Sequence, residues 1–185
     1  MECKITNRNW SGRGFTLVEM IVAVAVGCLL LAALATLYVF SMRSFASMAN
    51  YSDLNQKSRY ASDIVSRDIR SCLSVVSAST TKLVLNEPDD TPGNNTTYLY
   101  DNFAGTLSKI KNGQTNVLLT GIDPDSLTFT MFQRPFVGAQ YEDFQTTTIP
   151  SQAKLIQFQW SCSRKLVSSQ NSEGLEAAKV EVRNQ

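Results

Sequence analysis

The most unusual chemical group in the sequence is the carboxylate of Glu19, which stands at the start of a long apolar run. From Met20 to Phe40 there is no charged residue, and a helix of that length, at about 1.5 Å per residue, covers the roughly 30 Å hydrocarbon thickness of a bilayer. A carboxylate in a membrane-spanning segment is costly unless it is paired or neutralised. Glu19 therefore needs a partner, and the only nearby candidate is an amine made by cutting the chain just upstream.

The charges before the apolar run set its direction. Lys4, Arg8 and Arg13 are opposed only by Glu2, and the positive-inside tendency holds such a basic cluster in the cytoplasm. The sequence thus predicts a single-pass anchor with a cytoplasmic amino terminus and the remaining residues outside. A cleavable secretory signal explains the run less well, because its apolar core is usually only about 7–15 residues long.

The segment from Arg13 to Glu19, Arg-Gly-Phe-Thr-Leu-Val-Glu, resembles the processing site of type IV pilin-like proteins, which include pilins, minor pilins and the pseudopilins of type II secretion. The resemblance implies that a prepilin peptidase cuts after Gly14 and N-methylates Phe15, the new first residue. It also implies that Glu19 is an assembly contact, because the amine of one subunit and the carboxylate of its neighbour neutralise each other in a stack of parallel helices. The alternative is that the Glu19 side chain only reaches the cytoplasmic interface.

Shorter segments are similar to particular members of that family. Gln56–Tyr60 followed by Ser66–Arg70, and the closing residues Val180–Gln185, are similar to W-class minor pilins and to J-class minor pseudopilins of type II secretion. The resemblance implies a minor pilin or pseudopilin in the bacterial inner membrane, with its carboxy-terminal domain periplasmic or extracellular. Its implied partners are prepilin peptidase and other pilin or pseudopilin subunits. A membrane-anchored extracytoplasmic binding module that forms no fibres is the alternative.

Composition excludes several other functions. The chain has no histidine, which removes histidine-dependent triads and zinc hydrolases. It has no glycine-rich phosphate loop, no GxSxG elbow and no HExxH motif, so we expect neither catalysis nor a cofactor. A net charge of +1 gives no electrostatic reason to bind nucleic acid.

Two acidic clusters, Asp89-Asp90 and Asp123-Pro124-Asp125, are the candidates for a calcium site. The second is more simply a type I turn with proline at its second position, and we predict no metal site.

Four cysteines stand at positions 3, 28, 72 and 162. Cys3 would leave with the leader, and Cys28 lies within the apolar run. Cys72 and Cys162 are a possible disulfide in an oxidising compartment, and two separate buried thiols are the alternative.

The absence of glycine and proline between Cys28 and Glu87 permits one continuous helix, which we predict from Phe15 to Val76. Beyond the membrane, apolar or small residues recur three or four apart. We therefore predict four parts: a cleaved basic leader at 1–14, the transmembrane half of the helix at 15–40, its amphipathic outer half at 41–76, and a β-rich head domain at 77–185.

Short alternating segments between turn signals predict an antiparallel sheet in the head. Asn112-Gly113 predicts a hairpin, and the polar segments 134–151 and 168–173 are predicted as loops. A sheet packed on the outer half of the helix gives an α+β fold. The predicted strands are Lys82–Leu85, Thr96–Asp101, Thr106–Lys111, Asn116–Thr120, Leu127–Gln133, Ala153–Ser161 and Ala177–Arg183.

Overall fold

The computed structural model describes residues 14–90, 95–134, 144–166 and 169–182, without the side chains of 165–166 and 169–177. The leader residues 1–13 and residues 135–143 of the predicted loop 134–151 lie outside this described part. The contacts divide the chain after Ser44 into two units, and each is described by itself.

Helix α1, Leu17–Ser71, contains 55 residues, which corresponds to about 82 Å of helix. Its first half exposes large apolar side chains throughout, for example Leu29 at 73% and Phe40 at 68%. Within the described residues it is the one helix that is long and apolar enough to cross a bilayer, with a mean hydropathy of 2.7 in its most apolar window. This property and the exposed apolar surface are consistent with the predicted single-pass anchor.

The helix ends five residues before the predicted end at Val76, so that prediction is wrong. Cys72 N donates the last helical hydrogen bond to Asp68 O at 2.9 Å. Ser74–Ala78 then forms strand β1, which pairs antiparallel with β2, Lys82–Asn86. The side chain of Val75 lies in the core, and β-branched valines favour a pleated, half-buried strand. The segment therefore pairs with β2 instead of continuing the helix.

Within the described residues the head contains two antiparallel sheets rather than the single predicted one. The first has five strands in the order β1-β2-β3-β4-β5, and the second has the order β7-β6-β8-β9. The α+β fold is confirmed. The remaining strands are β3 Thr96–Asp101, β4 Thr106–Lys111, β5 Gln114–Thr120, β6 Thr128–Gln133, β7 Gln145–Thr146, β8 Ala153–Leu166 and β9 Ser169–Glu181, and a short 3-10 turn, Pro150–Gln152, precedes β8.

The last two strands are longer than predicted. β8 continues to Leu166, five residues beyond the predicted end, and β9 begins at Ser169, inside the segment 168–173 that was predicted as a loop. Ser163 pairs with Ser172, and Arg164 with Asn171. The ladder between β8 and β9 satisfies the polar backbone groups of residues 169–173, so the polar composition of this segment did not indicate a loop.

The outer half of α1 supplies one side of the core, as predicted. Its buried residues recur at helical spacing and pack with inward-facing residues of both sheets. Trp160 Nε1 of β8 donates a hydrogen bond to Ser58 Oγ at 2.8 Å, and the rings of Phe158 and Trp160 stack with centroids 5.2 Å apart. The buried helix residues are Asn50, Leu54, Ser58, Ala61, Val65, Asp68 and Ile69.

Candidate functional site: the amino terminus and the head domain

The predicted processing site lies immediately before α1. Gly14, Phe15 and Thr16 are exposed and non-helical, and no atom lies within 4 Å of a Cβ built on Gly14. The Phe15 side chain is 80% exposed. Exposed, irregular backbone is what proteases cleave most readily, so the bond between Gly14 and Phe15 is accessible.

The Glu19 carboxylate caps the helix that it begins. Its Oε2 atom accepts hydrogen bonds from Thr16 N at 2.9 Å and from Thr16 Oγ1 at 3.0 Å. In return, Glu19 N donates to Thr16 Oγ1 at 3.3 Å. This reciprocal pair is a capping box, which satisfies N–H groups that a helix start leaves unpaired. The sequence reasoning missed the role of Thr16, although the Thr-x-x-Glu spacing signals it.

The capping bonds leave the charge of Glu19 uncompensated. No cation of the described residues forms an ion pair with this carboxylate. A capping box supplies hydrogen bonds but no positive charge, so a Glu19 carboxylate placed within a membrane would lack a counter-ion among the described residues.

The face of α1 that carries Glu19 is shaped for close approach. Ala23 and Gly27 follow Glu19 at intervals of four, and together with larger aliphatic neighbours they line a shallow groove of about 590 Å³. Small residues on a membrane helix let a second helix pack near its backbone. The groove is bordered by Val18, Val22, Val26 and Leu30.

A family model described as the prokaryotic N-terminal methylation motif matches residues 12–35. The chain has a prepilin-type amino terminus. The match confirms the predicted resemblance to type IV pilin-like proteins, and it covers Gly14, Phe15 and Glu19. It ends at residue 35, so the finer similarity to W-class or J-class members stays a prediction, as do the roles of the three residues. Neither a curated protein nor a solved structure matches the chain.

The head contains a buried charge cluster that the sequence reasoning missed. Asp68 of α1 accepts hydrogen bonds from Tyr98 Oη of β3 and Lys109 Nζ of β4. Glu87 pairs with Lys111, and its Oε1 atom lies 3.7 Å from Lys109 Nζ. Asp68 and Glu87 are 8% and 6% exposed. The only available sequence signal was the Lys109/Lys111 alternation, which puts both lysines on one face of β4.

Hydrogen bonds and burial shift the pKa values of three groups in and around the cluster. Burial opposes ionisation of Asp90, but hydrogen bonds from Glu87 N at 2.8 Å and Thr96 N at 3.0 Å outweigh it and lower the Asp90 pKa. The hydrogen bond to Glu87 raises the pKa of Lys111. Burial, followed by the Asp68 charge, raises the pKa of Tyr98. The cluster therefore connects the end of α1 to strands β3 and β4 and to the end of β2. This role is structural.

The four candidate calcium ligands are not brought together. Asp90 belongs to the buried cluster, while Asp123 accepts hydrogen bonds from Ser161 Oγ at 2.9 Å and from Ser163 Oγ. In the part of the chain that the structure describes, no group of three or more metal-ligating side chains could hold an ion.

Cys72 and Cys162 are both buried, and the choice between a disulfide and two separate thiols stays a prediction. The Trp160–Ser58 and Arg164–Asp53 contacts hold β8 beside the first turns of the outer helix. Ser58 lies about 20 Å of helical rise before the helix end at Ser71, whereas a disulfide joins Cα atoms within about 7 Å. This separation favours the alternative of two thiols, which mass measurement with and without reductant tests.

Proposed function

We propose that this chain is a minor pilin or pseudopilin, a structural subunit of a type II secretion pseudopilus or a type IV pilus. Prepilin peptidase cleaves it after Gly14 and N-methylates Phe15. The observation that carries the proposal is the methylation motif at residues 12–35, which contains the start of a helix apolar enough to cross a bilayer.

Glu19 is the assembly contact in this proposal. The carboxylate has no cation among the described residues, and it sits at the head of a groove lined by Ala23 and Gly27. The new amine on Phe15 of a neighbouring subunit supplies the missing positive charge, and the low dielectric of the membrane makes the unpaired state costly. Docking between parallel helices is therefore favoured.

The finer placement rests on the helix segment Ser66–Arg70. In its Arg-Asp-Ile-Arg step, Asp68 and Ile69 are buried while both arginines are exposed. Two residues of this step are therefore buried in the head, and the two arginines form a charged outer surface. This division gives a physical reason for the resemblance to W-class and J-class subunits.

Expression of the full chain with and without a prepilin peptidase tests the proposal. Intact mass should show loss of residues 1–14 and gain of one methyl group only when the peptidase is present. A Gly14→Leu variant is the matched control and should insert in the membrane but remain uncut. An unchanged amino terminus in the presence of active peptidase would overturn the proposal. Cleavage without crosslinks to other prepilin-type subunits would favour the membrane-anchored binding module.

A further inference from the structure

Phe103 is fully exposed, at 106% of its reference area, on the turn between β3 and β4. Its side chain therefore contributes nothing to the core. The turn does not require an aromatic residue either, because its shape is set by polar and glycine neighbours. A single exposed apolar side chain is ordinary on a protein surface, so the neighbours of Phe103 decide whether it can anchor a partner.

The turn is rigid independently of Phe103. Asp101 Oδ1 accepts hydrogen bonds from Phe103 N at 2.9 Å and Ala104 N at 3.1 Å. Asn102 Nδ2 donates to Asp125 Oδ1 at 3.0 Å, and Asp125 N donates to Asn102 Oδ1 at 3.1 Å. An aromatic side chain on a fixed platform loses little entropy on binding, which is the property of an interface anchor.

The surroundings of Phe103 are acidic. Asp101 and Asp125 are both exposed beside it, and neither forms an ion pair among the described residues. We call Asp101, Phe103 and Asp125 the acidic tip. Its complement is a surface with positive charge and room for an aromatic ring.

The same chain presents such a surface on the outer face of α1. A groove of about 550 Å³ is lined by Asp63, Ser66, Arg67, Arg70 and Ser71. Within the described residues neither arginine forms an ion pair, so the groove carries two cations against the single Asp63. We call it the arginine groove. A guanidinium group stacks on an aromatic face and also binds carboxylates, so it can contact both the phenylalanine ring and the aspartates of the acidic tip.

We propose that the acidic tip of one copy docks into the arginine groove of a second copy. Tip and groove are different surfaces, so the contact is head-to-tail, and such contacts build open-ended assemblies. The inference rests on the proposed function, because it places copies side by side in a fibre. It adds that at least two copies are neighbours there.

The contact is too small to act alone. A buried phenylalanine covers about 150–250 Å², well short of the roughly 1,000 Å² of a stable interface. It becomes effective when the membrane helices already hold the copies together and raise their effective concentration. The test must therefore use the full chain in membranes.

The experiment is pairwise cysteine crosslinking between two tagged full-length copies in cells with prepilin peptidase. Cys28→Ser is present in every arm, since Cys28 is exposed. One copy carries Phe103→Cys and the other Arg70→Cys. The matched control pairs Phe103→Cys with Lys82→Cys, another exposed position. Oxidation should give a dimer bearing both tags with Arg70→Cys and not with Lys82→Cys.

Adding Arg67→Glu should lower the yield of that dimer about tenfold through like-charge repulsion, and Arg67→Lys, which keeps the positive charge but not the planar guanidinium, should lower it less. No mixed dimer, equal dimer in the control, or dimer from Phe103→Cys alone would overturn the inference. The amino-terminal mass is read in the same samples. Cleavage without the mixed dimer overturns only the inference, whereas an uncut chain overturns the proposed function as well.

Discussion

At the residue scale, the Glu19 carboxylate caps α1, and in the proposed function it also pairs with the amine of a neighbouring subunit. Its Oε2 atom completes the capping box with Thr16, while its charge forms no ion pair with a described residue. The cap needs only an acceptor oxygen, which an amide also provides, but pairing with an amine needs the negative charge. The two tasks are therefore separable by substitution.

Glu19→Gln should leave membrane insertion and cleavage after Gly14 nearly unchanged and should strongly reduce co-assembly with other subunits, because the neighbour's amine loses its counter-ion. Crosslinking yield to other prepilin-type subunits is the measurement. Glu19→Asp, which retains the charge, is the matched control and should assemble better than the amide. Normal assembly of Glu19→Gln would contradict the role of this residue.

Cys72 offers a pH test of the core. Burial, followed by the Glu87 charge, raises the Cys72 thiol pKa from 9.0 to about 11. Since the folded state holds this proton more tightly than the unfolded state, the contribution is fully present below pH 9 and is lost as pH rises through about 11. Between these values the wild-type free energy of unfolding should fall about 2–3 kcal/mol more than that of Cys72→Ala.

Urea unfolding of the full chain in detergent across that pH range measures the difference. Lys111 has a raised pKa in both proteins, so its effect cancels in the comparison. Parallel pH profiles for the two proteins would show that the Cys72 thiol is not buried as described.

At the element scale, one buried hydrogen bond, from Trp160 Nε1 to Ser58 Oγ, contributes to the link between α1 and β8. Ser58→Ala would leave Trp160 Nε1 buried without its acceptor and should cost about 1–3 kcal/mol. In a Trp160→Phe background the same substitution should cost much less, because no donor is stranded. A double-mutant cycle from urea unfolding measures this coupling, and additive effects would argue against the bond.

The β3–β4 turn depends on Gly105. Its φ is +59°, and a Cβ there would lie 2.8 Å from Ile122 O. Gly113 in the next turn has φ +78° but nothing within 4 Å, so it is the matched control. Gly105→Ala should destabilise the protein by about 2–4 kcal/mol and Gly113→Ala by about 1–2 kcal/mol, since both incur left-handed strain and only the first adds a clash. Equal losses would contradict the close approach.

Local signals predicted local structure well. The Asn112-Gly113 hairpin forms, with φ of 51° and 78° at the two residues, because that turn is decided by those residues alone. The helix end at Ser71 was missed because the residues after it form strand β1 only through pairing with β2, a separate segment of the chain. The charge cluster was missed for the same reason: Asp68 and Lys109 are 41 positions apart, and nothing in either segment indicates the other.

At the scale of the whole molecule, the amino-terminal site was predictable because a short contiguous motif contains it. The head was predictable only as an antiparallel β-rich domain, because the strand order of its two sheets and the acidic tip depend on pairings between distant segments. Orientation in the membrane follows from charge alone and needs its own test.

We expect the leader to face the cytoplasm and the head to face outward. In the uncut Gly14→Leu variant, a membrane-impermeant maleimide should label Lys82→Cys, at an exposed position of the head, before the inner membrane is permeabilised, and Cys3 in the leader only afterwards. Labelling of Cys3 from outside would reverse the topology.

The Asp68 contacts also determine how tension would pass through this subunit. Asp68 lies three residues before the end of α1 and accepts hydrogen bonds from Tyr98 and Lys109 on two paired strands. A pull along the helix is thus shared between β3 and β4 and loads their ladder together, instead of peeling one strand at a time. Under mechanical load we therefore expect β3 and β4 to stay attached to the helix longer than β1, the edge strand that follows α1 directly in the chain.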